Sequence, residues 1–434
     1  MAGKTTAPFR VIIVGAGPVG LFFAHALSKA GVDYLVMEQS SSIIRYKGAG
    51  IMLFPDTLRL LDQLGLYDKA EDFHTIESST DILAQNGRVT SSYAIWSILA
   101  TRHAYPSVSC SRGQLIELLY ENLPEKETRV RTSAAVVDIE AHDNGVNVRL
   151  ADGSQEQGSI IVGVDGVYSK TRQIMQRLAQ SPPDTWPITA SYRGLYGQFP
   201  SIERMERGHF YQSRGHQVVS QFLNFGNVTH FAILQPIPPT TERRRYTTEE
   251  RDQFAHEFED IIIAPGVRFK EVWPILDKET ARLVNQEEGY CDKWYHGRIA
   301  LAGDAVHKIT SATGLGGNIG IHTAAALANE LHRALQANSN PSTEALEKAF
   351  ARYQETRSSL TSELHMGGRQ QVRTVTWETW FGWFFDRIVL PWIGWRLFLK
   401  GLTGIITQGQ ILEYVPFKDR EVQVPWANTP PLKE

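Results

Sequence analysis

Cysteine is almost missing from this chain of 434 residues: there are two, Cys110 and Cys291. Two cysteines build neither a disulfide framework nor a metal cluster, so a reducing compartment is the default and both read as small core or strand residues. An excess of charge of one sign is missing too, with 44 Lys and Arg against 47 Asp and Glu. A net charge of −3 speaks against a partner such as nucleic acid, which demands a basic face. No repeat or low-complexity tract is visible. The apolar run that follows the short polar stretch Met1–Arg10 stops at Gly15, so a secretory signal is not expected. Even the most apolar region, Trp377–Leu412, carries Asp386, Arg387, Arg396 and Lys400. It therefore has no run of about 18 uncharged apolar residues.

What is present is an ordinary globular composition, 42% hydrophobic and 21% charged, in a length that suggests two or three domains. Arg10–Val14 is a short continuous apolar run, as in a strand buried on both faces. A helix is expected from about Pro18 to Gly31, a second buried strand over Tyr34–Met37, and a helix over Asp56–Gly65. Alternating residues and Asp-Gly turns predict a β-meander between Thr128 and Val164. Ser191–Gln235 reads as a covering sheet. Tyr246–Val272 reads as helical from a cap at Thr247, and long helices are expected over Asn318–Leu335 and Pro341–Gly367.

Three glycine-marked strand ends carry the chemistry. The first is Gly15-Ala16-Gly17-Pro18-Val19-Gly20, between a strand and a helix. Gly15 permits the turn, Gly17 lets a pyrophosphate approach the backbone, and Gly20 lets the helix lie close to the strand. The helix N-terminus offers free amides and a positive dipole end. Glu38, at the end of the second strand, is placed to accept from ribose hydroxyls. Strand, glycines, helix and acid in register indicate a dinucleotide. The second strand end is Ile160-Ile161-Val162-Gly163-Val164-Asp165-Gly166, and the third runs from Ile299 through Gly303-Asp304 into Gly314-Leu315-Gly316-Gly317-Asn318. Asp304 suits a ribityl hydroxyl, and amides at the next helix suit the polar edge of a flavin.

With these motifs the chain resembles the group A flavin monooxygenases, relatives of para-hydroxybenzoate hydroxylase, from about Phe9 to Arg369. The resemblance implies an α/β fold: a Rossmann-type FAD-binding domain with an inserted β-sheet substrate domain and a C-terminal helical tail. The expected divisions are residues 1–185 for the FAD-binding domain with its meander and 186–290 for the covering sheet. Residues 291–370 complete the FAD-binding domain, and 371–434 form the aromatic tail. Arg112, in Ser111-Arg112-Gly113-Gln114-Leu115, matches the family arginine that contacts FAD between pyrophosphate and ribose. Gly48-Ala49-Gly50-Ile51-Met52, Leu60-Leu61-Asp62-Gln63-Leu64-Gly65, Gly303-Asp304-Ala305-Val306-His307-Lys308 and Leu412-Glu413-Tyr414-Val415-Pro416 are similar to fungal secondary-metabolite enzymes of the paxilline-type epoxidase group. Ser311 replaces the proline and Met52 the glycine usual in those relatives. The cofactor set implied by the resemblance is Gly15, Gly17, Gly20, Glu38, Gly48, Met52, Arg112, Asp165, Gly303, Asp304, Gly314 and Gly317. The resemblance further implies that FAD is held non-covalently and that NADPH is the co-substrate, binding without a glycine fingerprint of its own.

The reaction implied is epoxidation or hydroxylation, with O2, of an isoprenoid or polyene chain of a terpenoid or polyketide. An alkene needs no deprotonation, so a general base is optional. Tyr211 and Arg193 are the candidate catalytic side chains, with Tyr196 a further candidate in the covering sheet; each has an alternative as a core or surface residue. His25 and His322 read as packing residues and His307 as a cap or flavin neighbour. The other functional classes are an aromatic (phenol) hydroxylase, a halogenase, an oxygen-independent reductase and a flavin scaffold without turnover. Trp377, Trp380, Trp383, Trp392 and Trp395 with Arg396 and Lys400 suit a membrane interface. The tail is therefore expected to associate with a membrane as an interfacial or hairpin anchor, at an endoplasmic reticulum face, or else to pack at the substrate entrance.

Overall fold

The computed structural model describes residues 8–45, 50–70, 73–76 and 79–429; Gly48 and Ala49 of the sequence motif lie outside them. At its centre is a six-stranded sheet. Its order is Tyr295–His296, Ile299–Leu301, Ile160–Gly163, Arg10–Val14, Asp33–Met37 and Val130–Arg131, parallel except for the first. The three central strands, from Ile160, Arg10 and Asp33, are nearly continuous runs of Ile, Val, Leu and Met because both faces are covered, one by helices and the other by the β-meander, whose Gly158 sits against Ile12. Helix Pro18–Lys29 packs on one side, followed by Gly31 at φ 66°. Helix Gly316–Ala337 runs against it and in turn carries helix Thr343–Val375.

The meander is narrower than the sequence predicts. Only Val136–His142, Gly145–Leu150 and Gln155–Gly158 form it, while Val130–Arg131 and Ile160–Gly163 join the parallel sheet. A run of four apolar residues fits either sheet, and the second face available for burial decides.

The covering sheet is wider than expected from 186–290. It has eight strands, in the order His307–Lys308, Arg282–Tyr290, Trp186–Pro200, Val228–Thr240, Val218–Asn224, Phe210–Gly215, Thr80–Leu83 and Val89–Tyr93. Thr80–Leu83 enters parallel to Phe210–Gly215 from a distant part of the chain, an addition no local pattern announces. The helix expected over Tyr246–Val272 ends at Glu257, and a small hairpin, Ile262–Ala264 with Val267–Arg268, follows. Pro265-Gly266, with Gly266 at φ 71°, makes the turn of that hairpin. The cap at Thr247 is formed: Glu250 N donates to its hydroxyl at 3.2 Å, and Thr247 N donates to the Glu250 carboxylate at 2.8 Å.

The tail folds as a short helix Trp380–Phe384, a π turn Phe385–Val389 and a helix Leu390–Thr407. Afterwards the chain returns to the parallel-sheet domain. Leu412 N donates to Gln63 Oε1 at 2.8 Å, Gln410 N to His322 Nδ1 at 2.9 Å, and Arg59 binds the Asp419 carboxylate.

Candidate active site

Gly15 takes φ 111°, a left-handed backbone, and a side chain there would meet the Val164 carbonyl. A Cβ at Gly20 would run into the Gly15 carbonyl and lie 2.9 Å from Val164 Cγ2, so the helix sits on its own turn. The helix starting at Pro18 has no side-chain cap, and neither has the helix starting at Gly316. Their first amides are therefore available to a ligand. The Glu38 carboxylate closes the turn, accepting from Ala16 N at 3.0 Å and Ser40 N at 2.9 Å.

Arg112 lies beside Gly17, its guanidinium 3.3 Å from where a Cβ of residue 17 would stand. Arg112 is exposed and Asp304 and Lys308 are half-buried, yet protein crowds all three closely. Burial pulls the Arg112 guanidinium below its ordinary value, and the Asp304 and Glu38 carboxylates oppose that pull. Asp304 is paired with Lys308 at 2.8 Å. Burial pushes its carboxyl up, but Lys308 and the nearby His307 and Arg112 outweigh it and hold it below the usual range. An ionised carboxylate at that depth accepts hydroxyl hydrogen bonds strongly. Two uncapped helix ends, a glycine turn, an acid at the second strand, an arginine across from Gly17 and an ionised Asp304 fit FAD along one groove.

Asp165 contributes differently from the expectation that it touches the cofactor. Its two oxygens accept from Ser169 Oγ, Thr171 N and Thr171 Oγ1, capping helix Lys170–Leu178. Only its backbone faces the fingerprint, packed against Gly15. Arg172, by bonding the carbonyls of Val167 and Ala305 at 2.7 and 2.8 Å, ties this strand end to the Gly303-Asp304 loop.

Asn318 is an organiser that the motif shows only as one letter of a string. Its amide accepts from Phe54 N at 3.0 Å and Thr57 Oγ1 at 2.7 Å, and donates to the Met52 and Gly314 carbonyls. The strand Gly50–Leu53 and the helix at Gly316 are thereby joined, with Met52 Cβ 3.8 Å from where a Cβ of Gly314 would stand and Ile51 3.7 Å from that of Gly317.

Beyond Met52, Ser311 and Gly314 lies an apolar cavity of about 350 Å³. One cross-strand row of the covering sheet forms a wall: Tyr196, Ala232, Gln221, Gln212 and Ile82, each paired with the next. Tyr196 OH is 2.6 Å from Ser311 Oγ, and Gln221 Nε2 donates to the Ala312 carbonyl at 2.9 Å, so the wall holds the Ser311 loop. Phe54, Trp96, Phe210, Leu223 and the tail residues Leu390 and Phe398 supply apolar surface. Tyr196→Phe is expected to keep FAD and lower turnover several-fold, because the loop loses a buried hydrogen bond of about 1 kcal/mol; steady-state kinetics with a flavin absorbance check it.

The two expected catalytic side chains stand elsewhere. Tyr211 is one residue out of register with the cavity row, so strand alternation points it to the opposite face. There it is buried in the outer core, stacked on His209 and accepting from Glu206 N at 3.1 Å. Arg193 is likewise on the outer face, bonded to Gln235 at 2.7 Å and Glu257 at 3.3 Å and lying over Phe254. Counting by twos along the strand that holds Gln212 is the signal that separates it from Tyr211.

His307 is buried between Trp294 and Thr323, whose Oγ1 is 2.9 Å away, and is a structural residue. His25 bonds the Leu119 carbonyl at 2.7 Å. Burial lowers the imidazoles of His103 and His307 to about 4. Both bind a proton less readily folded than unfolded, so their stability contribution is complete above pH 6.5 and drains as pH falls toward 4. Each group costs about 1.4 kcal/mol per pH unit across that window. Melting temperature is expected to drop steadily on acidification to about pH 5, and His307→Gln to flatten the slope.

The chain matches the FAD binding domain family over residues 8–363. It is 42% identical over 441 residues to the FAD-dependent monooxygenase srdH of Neurospora crassa, across 96% of this chain and 98% of that protein. It is 30% identical over 444 residues to the FAD-dependent monooxygenase ctvC of Aspergillus terreus, across 99% and 93%. The fold is shared with HpxO of Klebsiella pneumoniae, solved with FAD and uric acid, at a TM-score of 0.77 and 20% identity over 92% of this chain and 96% of that one. It is also shared with PqsL of Pseudomonas aeruginosa, solved with 2-aminobenzoylacetate, at 0.68 and 18% over 87% and 99%. Sequence, fold and groove agree: this chain belongs to the FAD-binding-domain family and is an FAD-dependent monooxygenase.

Proposed function

We propose that the substrate is a lipophilic chain, an isoprenoid or polyene of fungal secondary metabolism, epoxidised or hydroxylated with NADPH and O2 by an intracellular, membrane-associated enzyme. The observation that carries this reading is the character of the cavity beside Met52, Ser311 and Gly314. Its walls are Phe, Trp, Leu and Ile with a few amides, and Arg214, its one guanidinium among the described residues, is neutralised by Asp386 of the tail. When bound, FAD supplies the electron transfer and the activation of oxygen. The chain holds it by the glycine turn, Arg112 and Asp304, excludes water with the apolar walls, and orients the alkene against the Ser311 loop. A phenol hydroxylase needs a base. His230 is the one imidazole on the wall among the described residues, and burial holds it near 4, too weak to take a phenol proton at neutral pH.

The test is anaerobic addition of NADPH to the yellow protein, then air with prenylated, polyene and simple phenolic substrates. Bleaching of the flavin, and a product one oxygen heavier from the alkenes, is the expected result. Tight coupling of NADPH oxidation to phenols, with alkenes inert, overturns the proposal.

A further inference from the structure

The segment Trp380–Thr407 is long and apolar enough to cross a membrane by length and composition, with a mean hydropathy of 1.2. Its packing points to a different use. Helix Leu390–Thr407 lies lengthwise on the body: Leu399, Leu402 and Ile406 are buried, Phe398 meets Trp96 edge-on, and Arg102 donates to Thr403 Oγ1 at 3.0 Å. Tyr93 OH donates to the Leu390 carbonyl at one end, and at the other Ala427 N donates to the Thr407 carbonyl at 2.9 Å. Before the helix, the buried Asp386 is fixed by Arg214 and by Trp377 Nε1 at 2.8 Å. Both ends of the segment are thus tied to the same body.

The opposite face is uncovered. Trp392 is 80% exposed and Trp380 72%, with Phe381, Ile388 and Ile393 beside them. Arg396 and Lys400 are exposed within it, and the segment's one acid, Asp386, is buried in its ion pair. All free charge on this face is therefore basic. Two residues belong to both surfaces: Leu397 and Phe398 line the cavity and are 51% and 38% exposed on the apolar face.

We propose that this face docks flat on an anionic bilayer without crossing it, and that the mouth of the cavity, at Leu397 and Phe398, opens into the lipid. A crossing helix would have to give up every contact along Leu399, Thr403 and Ile406, whereas an in-plane helix keeps them and buries tryptophans at headgroup depth beside its basic residues. The entry route deepens the lipophilic-substrate reading and rests on it; the docking does not.

The two native cysteines are buried, so nitroxide labels report single added cysteines on the full chain. Labels at Phe381→Cys, Trp392→Cys, Leu397→Cys and Gly404→Cys are compared with one at Val284→Cys on the covering sheet, using vesicles of phosphatidylcholine with or without roughly one-third phosphatidylserine. With phosphatidylserine, all four tail labels are expected to become accessible to oxygen and shielded from a water-soluble nickel chelate, at one common depth, while the label at 284 stays aqueous. Binding of Trp380→Glu/Trp392→Glu is expected to fall at least ~10-fold in sedimentation, with FAD content and melting temperature unchanged. A depth that changes progressively from 381 to 404 overturns the proposal in favour of a span. An aqueous tail in a protein whose dimer is broken by the double variant overturns it in favour of a second copy. A label at 397 that stays in water while the others dock overturns the entry route. Flavin bleaching by NADPH, read on the same samples, reports on the proposed reaction independently.

Discussion

Gly20→Ala protein is expected to purify colourless. The added methyl group has nowhere to go: it meets the Gly15 carbonyl of its own turn and the Val164 side chain at the end of the neighbouring strand. The helix must move off its strand, carrying its uncapped amides away from the phosphates. FAD affinity is expected to fall on the order of 100-fold, about 2.7 kcal/mol, measured by fluorescence titration of the apoprotein. Gly31→Ala is the control. Unlike Gly20 it has a positive φ, 66°, but nothing stands within 4 Å of its added carbon, so it costs about 1 kcal/mol of stability and keeps its flavin. Stoichiometric FAD in purified Gly20→Ala would contradict the assignment of the fingerprint.

The largest stability loss is expected at a residue far from the flavin. Arg59 is 1% exposed, bonds Asp419 at 2.7 Å and the Asn428 carbonyl at 2.8 Å, and lies under the Trp426 ring. Asp419→Ala leaves a guanidinium in the interior without its counter-charge. Removing one partner of a buried pair costs about 3–5 kcal/mol; with Asp419 23% exposed, about 2–3 kcal/mol is expected, read as a lower urea midpoint. Lys348→Ala breaks an ion pair whose partners are 68% and 78% exposed, and is expected to shift the midpoint by less than about 0.5 kcal/mol.

These two sites differ in how far the amino-acid sequence announces them. The fingerprint is legible because every letter of it has a local cause: Gly15 for its φ, Gly20 for its close contact, Glu38 because a short strand must end there. The same holds for Thr247 with Glu250 and for Gly65, whose φ of 78° ends its helix. Arg59 and Asp419 are 360 residues apart, and nothing in the neighbourhood of either announces the other. The cavity falls between these cases. That Ser191–Gln235 forms a sheet over the flavin is readable from its Tyr, Phe and Val content, but which face looks inward depends on pairing with Thr80–Leu83 and on the helices of the tail. Sequence therefore points to Tyr211 where its neighbours Phe210 and Gln212 line the wall, a slip of one residue that moves a side chain to the other face. Asn318 is plain in the sequence but carries no weight there, since its worth lies in bonds to distant loops.

The closing stretch of the chain, with Leu412 bound to Gln63 across 349 residues, also sets a timetable for biogenesis. At about 5–20 residues per second, the pocket around Gln63, Arg59 and His322 waits on the order of tens of seconds during synthesis for the stretch that fills it. The hydrophobic helix leaves the ribosome just before that stretch does. Until that stretch arrives, the parallel-sheet half has an open seam and the end of the helix at Thr407 lacks its tie to Ala427. A lipid surface or a chaperone at that moment would shield both, so the face proposed to dock on lipid is also the one most exposed to aggregation while the enzyme is being made.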